Sequence, residues 1–101
     1  MAPRRCPTLG TVAIQVVDFG QVGRHVCRPV EGAVARHRLP GAVDITVWIT
    51  VNESRRTSCT VAVAVNWGAA GTTRDGTTAT LDRSPTSIED CIDSAVDSLL
   101  P

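Results

Sequence analysis

Two runs of strict alternation, joined by five polar residues, constrain this chain more than any other feature. From Ala42 to Val51 the apolar residues Val43, Ile45, Val47, Ile49 and Val51 share one face, and Asp44, Thr46, Trp48 and Thr50 share the other. A period of two marks a strand with one buried and one open side. From Thr57 to Trp67 the positions Cys59, Val61, Val63, Val65 and Trp67 continue the apolar face. The link from Asn52 to Arg56 is short and polar, so the second run returns antiparallel as a hairpin.

The apolar face of that hairpin needs a cover, and the flanking segments supply it. Thr11 to Phe19 alternates with Val12, Ile14 and Val16 on one side, which predicts a strand, and Gly20 to Gly23 breaks it. From Gln21 to Arg38 the period changes. Val22, Val26, Val30, Ala33 and Val34 fall on one side of a helical wheel, with Arg24, Arg28, Arg36 and Arg38 on the other. Pro29 inside such a helix would cost about 3 kcal/mol, unless the continuous helix starts near Arg28 with Pro29 in its opening position. Gly68 to Asp75 reads as a loop, Asp75-Gly76 as a turn, and Thr77 to Leu81 as a short strand. The closing helix is the plainest element. Thr86 and Glu89 have capping-box spacing, and Ile88, Cys91, Ile92, Ala95, Val96, Leu99 and Leu100 hold a continuous stripe opposite Glu89, Asp90, Asp93 and Asp97.

The order is βαβββα. It predicts an α+β two-layer sandwich, a four-stranded sheet with two helices on one face, spanning residues 11–101 after a basic, flexible segment 1–10. Gln15, Thr46, Trp48, Thr50 and Thr60 would occupy the open face. A length of 101 residues fits one domain, and with only Phe19, Trp48 and Trp67 as aromatics its core must be aliphatic.

No apolar core of a signal peptide follows Arg4 and Arg5, and no run is long enough to span a membrane, so the expected setting is the cytoplasm without a membrane partner. Cys6, Cys27, Cys59 and Cys91 form no C-x-x-C pair, which argues against a zinc site. An even count permits two disulfides in a secreted chain. Without an export signal the expectation is four reduced thiols, with Cys59 and Cys91 at core positions.

Charge is the best lead to function. All ten cations are Arg; residues 1–74 hold nine of them against four acids, and residues 75–101 hold one against six. A net charge of zero therefore hides two poles, and the basic one suits phosphate. Arg24, Arg28, Arg36 and Arg38 share an arc of one helix, and Arg55 and Arg56 sit at the hairpin tip, where together they would clamp several phosphates. Trp48, alone on the open sheet face, offers a ring to stack on a base, to pack a partner or to fill an edge of the core. Catalysis has little support. His25 and His37 lie twelve residues apart without ligand-spaced partners, and no serine has a nucleophile-elbow context. The sequence therefore predicts no enzyme, no metal and no cofactor. The two G-x-x-G stretches, Gly20 to Gly23 and Gly68 to Gly71, read as turns.

The element order and the closing helix, with Ile92-Asp93-Ser94-Ala95-Val96-Asp97-Ser98-Leu99 similar to that family's "AID…ADKL", resemble the hibernation-promoting factor and ribosome-associated inhibitor family over residues 11–100. The hairpin from Val43 to Val65 is similar as well. The resemblance implies binding to rRNA of the small ribosomal subunit, in the channel of mRNA and tRNA, and silencing of translation under stress. Arg24, Arg28, Arg36, Arg38, Arg55 and Arg56 would be the contacts. The chain departs from the family in lacking Lys, in its long Gly68 to Gly76 loop, in Pro29, and in ending without the dimerisation domain of long members. A second resemblance, over Val47 to Leu100, is to small actinobacterial proteins of unknown function with a double-stranded-RNA-binding-like fold, through Ile49, Val51, Glu53, Arg56 and Thr57.

Two functions compete. One is a non-enzymatic RNA-binding module acting on ribosomes. The other is a protein-interaction or self-assembly module, a homodimer in which the basic helix of one copy meets the acidic helix of the next.

Overall fold

In the computed structural model, which describes residues 3–19, 23, 25–37, 39, 42–52, 58–67, 72–80 and 85–100, the elements are β1 (Arg4–Arg5), β2 (Val12–Asp18), α1 (Cys27–His37), β3 (Val43–Asn52), β4 (Ser58–Asn66), β5 (Thr72–Thr80) and α2 (Pro85–Leu99). They form the expected α+β fold. Strands follow one another across the sheet in chain order, β1-β2-β3-β4-β5. Only the β2–β3 pair is parallel, because α1 carries the chain between them, and every other pair is antiparallel.

The alternation sorts the two faces as predicted. Val12, Ile14 and Val16 of β2, Val43, Ile45, Val47 and Ile49 of β3, and Cys59, Val61, Val63 and Val65 of β4 are buried. They meet Val30, Ala33 and Val34 of α1 and Ile92, Ala95 and Val96 of α2 in one aliphatic core. α2 lies over β4 and β5 and beside α1, so both helices cover the same face.

Four expectations are corrected. The sheet has five strands, because Arg4 and Arg5 pair with Val16 and Gln15 at its edge. Arg4 and Arg5 of the opening segment are thereby strand-paired, and Cys6 behind them is buried. β5 begins at Thr72 and runs through Gly76, where a loop and a turn were expected. Backbone pairing with β4 does not require an apolar face, and β-branched Thr suits a strand. α1 is shorter than the Gln21 to Arg38 span; it starts at Cys27, so Pro29 falls in the first turn, where its missing N–H leaves no bond unmade. Ahead of it Gly23, at φ 102°, donates its N–H to Asp18 Oδ2 at 3.0 Å, a backbone angle that glycine alone adopts readily. The fourth correction concerns the cysteines. Cys6–Cys27 and Cys59–Cys91 are disulfides, so no described cysteine is a free thiol. Even spacing along the chain concealed that the fold brings each pair together.

Candidate nucleic-acid interface

The described arginines divide into two groups with different fates. Arg36, on α1, turns to the acidic helix: its guanidinium pairs with Asp93 and donates from Nε to Asp97 Oδ1 at 3.3 Å. Hydrogen bonding to Asp93 is the largest influence on it and holds its pKa above the ordinary value. His37 Nε2 lies 3.0 Å from the same Asp97 oxygen. The basic and acidic faces read from the sequence thus meet within one chain. A His beside an Asp would also interest an enzymologist, but this pair sits on the α1–α2 surface, with Asp97 46 % exposed. Ser98 Oγ there is engaged by the Ala95 carbonyl.

Arg4, Arg5 and Arg28 form the second group. All three are exposed, and among the described residues none forms an ion pair. The Cys6–Cys27 bond holds its two Cα atoms 5.5 Å apart. With 3.80 Å between successive Cα atoms, Arg5 and Arg28 are therefore within about 13 Å of one another. Successive residues of β1 point to opposite faces, so Arg4 lies with Arg28 on the helix side of this sheet edge and Arg5 on the open side. Sequence reasoning found Arg28 but missed Arg4 and Arg5, because the signal that joins them is a disulfide between residues 21 positions apart. Glu31 brings a carboxylate near both sulfurs, yet cysteines joined to each other offer no thiolate for a metal. Of the other predicted contacts, Arg24, Arg38, Arg55 and Arg56 lie outside the described residues.

The open face of the sheet holds the second feature. Gln15, Thr46, Trp48, Thr50 and Thr60 stand on it, as expected. Trp48 is half-buried, and its parallel neighbour Val17 is buried on the same face. Across β4 and β5 the row continues with Ala62 and Gly76, which leave it low on that side. One row over, a cavity of about 470 Å³ is lined by Arg5, Gln15, Asp44, Thr46, Ala64 and Asn66 among others. It exists because small residues alternate with polar ones there. Gln15 Nε2 donates to Thr46 Oγ1 at 2.9 Å, which fixes one wall.

No protein-family model matches the chain, and no curated protein matches it. Among solved structures it is similar to a "putative lipoprotein from Caulobacter crescentus CB15", at 17% identity and a TM-score of 0.38, over 84% of this chain and 80% of that one. A likeness of that strength carries no argument about function. No helix among the described residues is long and apolar enough to cross a membrane.

Proposed function

We propose that this chain is a non-enzymatic RNA-binding module that acts on the ribosome in the cytoplasm and silences translation there. The observation that carries the reading is a group of three exposed arginines at the β1 edge of the sheet, beside the start of α1, none of which forms an ion pair among the described residues. Arginine without an intramolecular carboxylate is free to take phosphate bidentately. Arg36 supports the reading by contrast, since its two carboxylates mark where the acidic helix closes the surface off. Arg24, Arg38, Arg55 and Arg56 would extend the contact, and the resemblance to ribosome hibernation factors supplies the small-subunit rRNA as target.

Ribosome co-sedimentation at low and moderate salt tests it. Binding that weakens steeply with salt, and that Arg28→Glu lowers several-fold, is the expected result. A protein that stays at the top of the gradient at low salt ends the reading.

The disulfides favour a second reading. Cross-linked cysteines persist in oxidising compartments, which hold no ribosomes. There the chain would be a protein-interaction or self-assembly module. Its expected signature is a salt-sensitive dimer without RNA affinity, read by light scattering.

A further inference from the structure

We propose that Cys6, Cys27 and Glu31 form a redox-gated zinc site, in which the ion takes over the clasp between β1 and α1 once the Cys6–Cys27 disulfide is reduced. Spacing along the chain argues against zinc because no two cysteines stand at ligand distance in sequence. Folding supplies what spacing lacks. One ligand atom from each of these three side chains lies within 4.8 Å of the other two, the one cluster of this kind among the described residues. Glu31 follows Cys27 by one turn of α1, so the two share a helix face. Cys6 reaches them from the sheet edge, where its N–H donates to the Ile14 carbonyl at 3.0 Å. Strand pairing on one side and the helix on the other thus hold the two Cα atoms, 5.5 Å apart, by backbone bonds that do not involve sulfur. The thiols stay neighbours when the bond between them opens.

Tetrahedral zinc, with bonds of about 2.3 Å to sulfur and about 2.0–2.2 Å to oxygen, holds its ligand atoms about 3.5–3.8 Å apart. The Glu31 carboxylate is already near that separation from both sulfurs, and it forms no ion pair among the described residues, so its swing onto the metal breaks none. Two thiolates and a carboxylate favour zinc over magnesium or calcium, which prefer an all-oxygen shell. Cys27 and Glu31 are half-buried, which leaves the fourth position open to water. A dithiol reductant opens the site: it gives two electrons and two protons to the disulfide and itself becomes a disulfide, while Cys6 and Cys27 become thiols. Zinc then displaces both thiol protons to solvent, and Glu31 binds as the carboxylate. That the thiol form is populated rests on the cytoplasmic reading above, since cytosolic thiols are kept reduced, whereas in an oxidising compartment the disulfide persists and offers no thiolate.

The test is a titration of the full chain with Zn2+ and with Co2+ as its coloured substitute, once oxidised and once reduced by a phosphine that leaves no competing thiol. The reduced chain should take up one zinc ion and show, with cobalt, the thiolate charge-transfer absorption of a sulfur-ligated tetrahedral site; the oxidised chain should show neither. Glu31→Gln, a change at a half-buried position that leaves both cysteines in place, should weaken zinc at least about tenfold, the low end for disturbing a metal site. Replacing Cys6 and Cys27 by Ser should abolish the cobalt absorption, with circular dichroism to check that the variant is folded. No uptake by the reduced chain, equal affinity in Glu31→Gln, or cobalt absorption that survives in the Ser variant and so belongs to Cys59 and Cys91 would each overturn the proposal. Ribosome sedimentation is a separate readout. Zinc uptake by a chain that does not sediment sinks the RNA reading and leaves the site, and sedimentation of a chain that takes up no zinc does the reverse.

Discussion

His37 Nε2 and Asp97 Oδ1 lie 3.0 Å apart, joining the last turn of α1 to the C-terminal half of α2. The hydrogen bond with His37 is the largest influence on Asp97 and, with Arg36, holds its carboxyl below the ordinary value of 3.8. A group whose folded pKa is depressed adds stability above its unfolded value, and that stability goes as pH falls through the folded one. Asp97→Asn is therefore expected to melt lower than the parent at neutral pH, by a small margin because the pair is exposed. The two melting curves should converge as pH drops below about 4. A gap that persists in acid would show that the carboxylate is not its cause.

Arg36 and Arg28 should separate in experiment although they share a helix. Arg36→Gln removes the contacts to Asp93 and Asp97 and lowers thermal stability, leaving co-sedimentation with ribosomes unchanged. Arg28→Glu does the opposite, because its side chain has no partner among the described residues. Equal loss of binding in both variants would mean that Arg36 also reaches the RNA.

The disulfides offer the largest stability effect. Closing loops of 21 and 32 residues restricts the unfolded chain by about 3 to 4 kcal/mol each. Urea denaturation with and without a dithiol reductant should show a loss of that size per bond. Replacing Cys59 and Cys91 by Ala should cost more than replacing Cys6 and Cys27, since Cys59 is 1% exposed in the core. An unchanged midpoint under reductant would contradict the pairing.

Gly32 sits where α1 meets α2. A Cβ added there would lie 3.7 Å from Asp93 Oδ2 and 3.9 Å from Arg36 Nη1, which is ordinary contact distance. Gly32→Ala is thus expected to stabilise by about 0.5–1 kcal/mol through helix propensity, read from the urea midpoint. Destabilisation would mean that the added methyl displaces the Arg36–Asp93 pair.

Two apolar residues should respond unlike each other. Ile92 is fully buried against the sheet, and Ile92→Ala should cost about 2–5 kcal/mol. Phe19 is 53% exposed, and Phe19→Ser should change stability by less than about 0.5 kcal/mol. Similar losses at both sites would place Phe19 in an interface.

Most of the architecture could be read from residue order because burial writes itself as periodicity. Val43 to Val51, Cys59 to Val65 and Ile88 to Leu100 each repeat at the spacing of the element they form. β5 escaped because an edge strand rich in Thr has no such alternation, and β1 because two residues have no period at all. Of the candidate site, Arg28 and Trp48 were legible as types on a face. Arg36 was misleading, since a wheel shows which residues share a side and not which helix faces them. Arg4, Arg5 and the cluster of Cys6, Cys27 and Glu31 depend on contacts distant in sequence, one of them covalent.

Chain-order pairing of the strands has a consequence for how the molecule is made. Each strand from β2 onward finds its partner already synthesised, so the sheet can grow from one end while the chain is still emerging. The last helix is different. Ile92 and Val96 complete a core whose other walls are older, and Cys91 alone can close on Cys59. Until α2 docks, β3 and β4 show their row of Val and Ile to solvent, so the period of greatest aggregation risk lies between the synthesis of β4 and the arrival of α2.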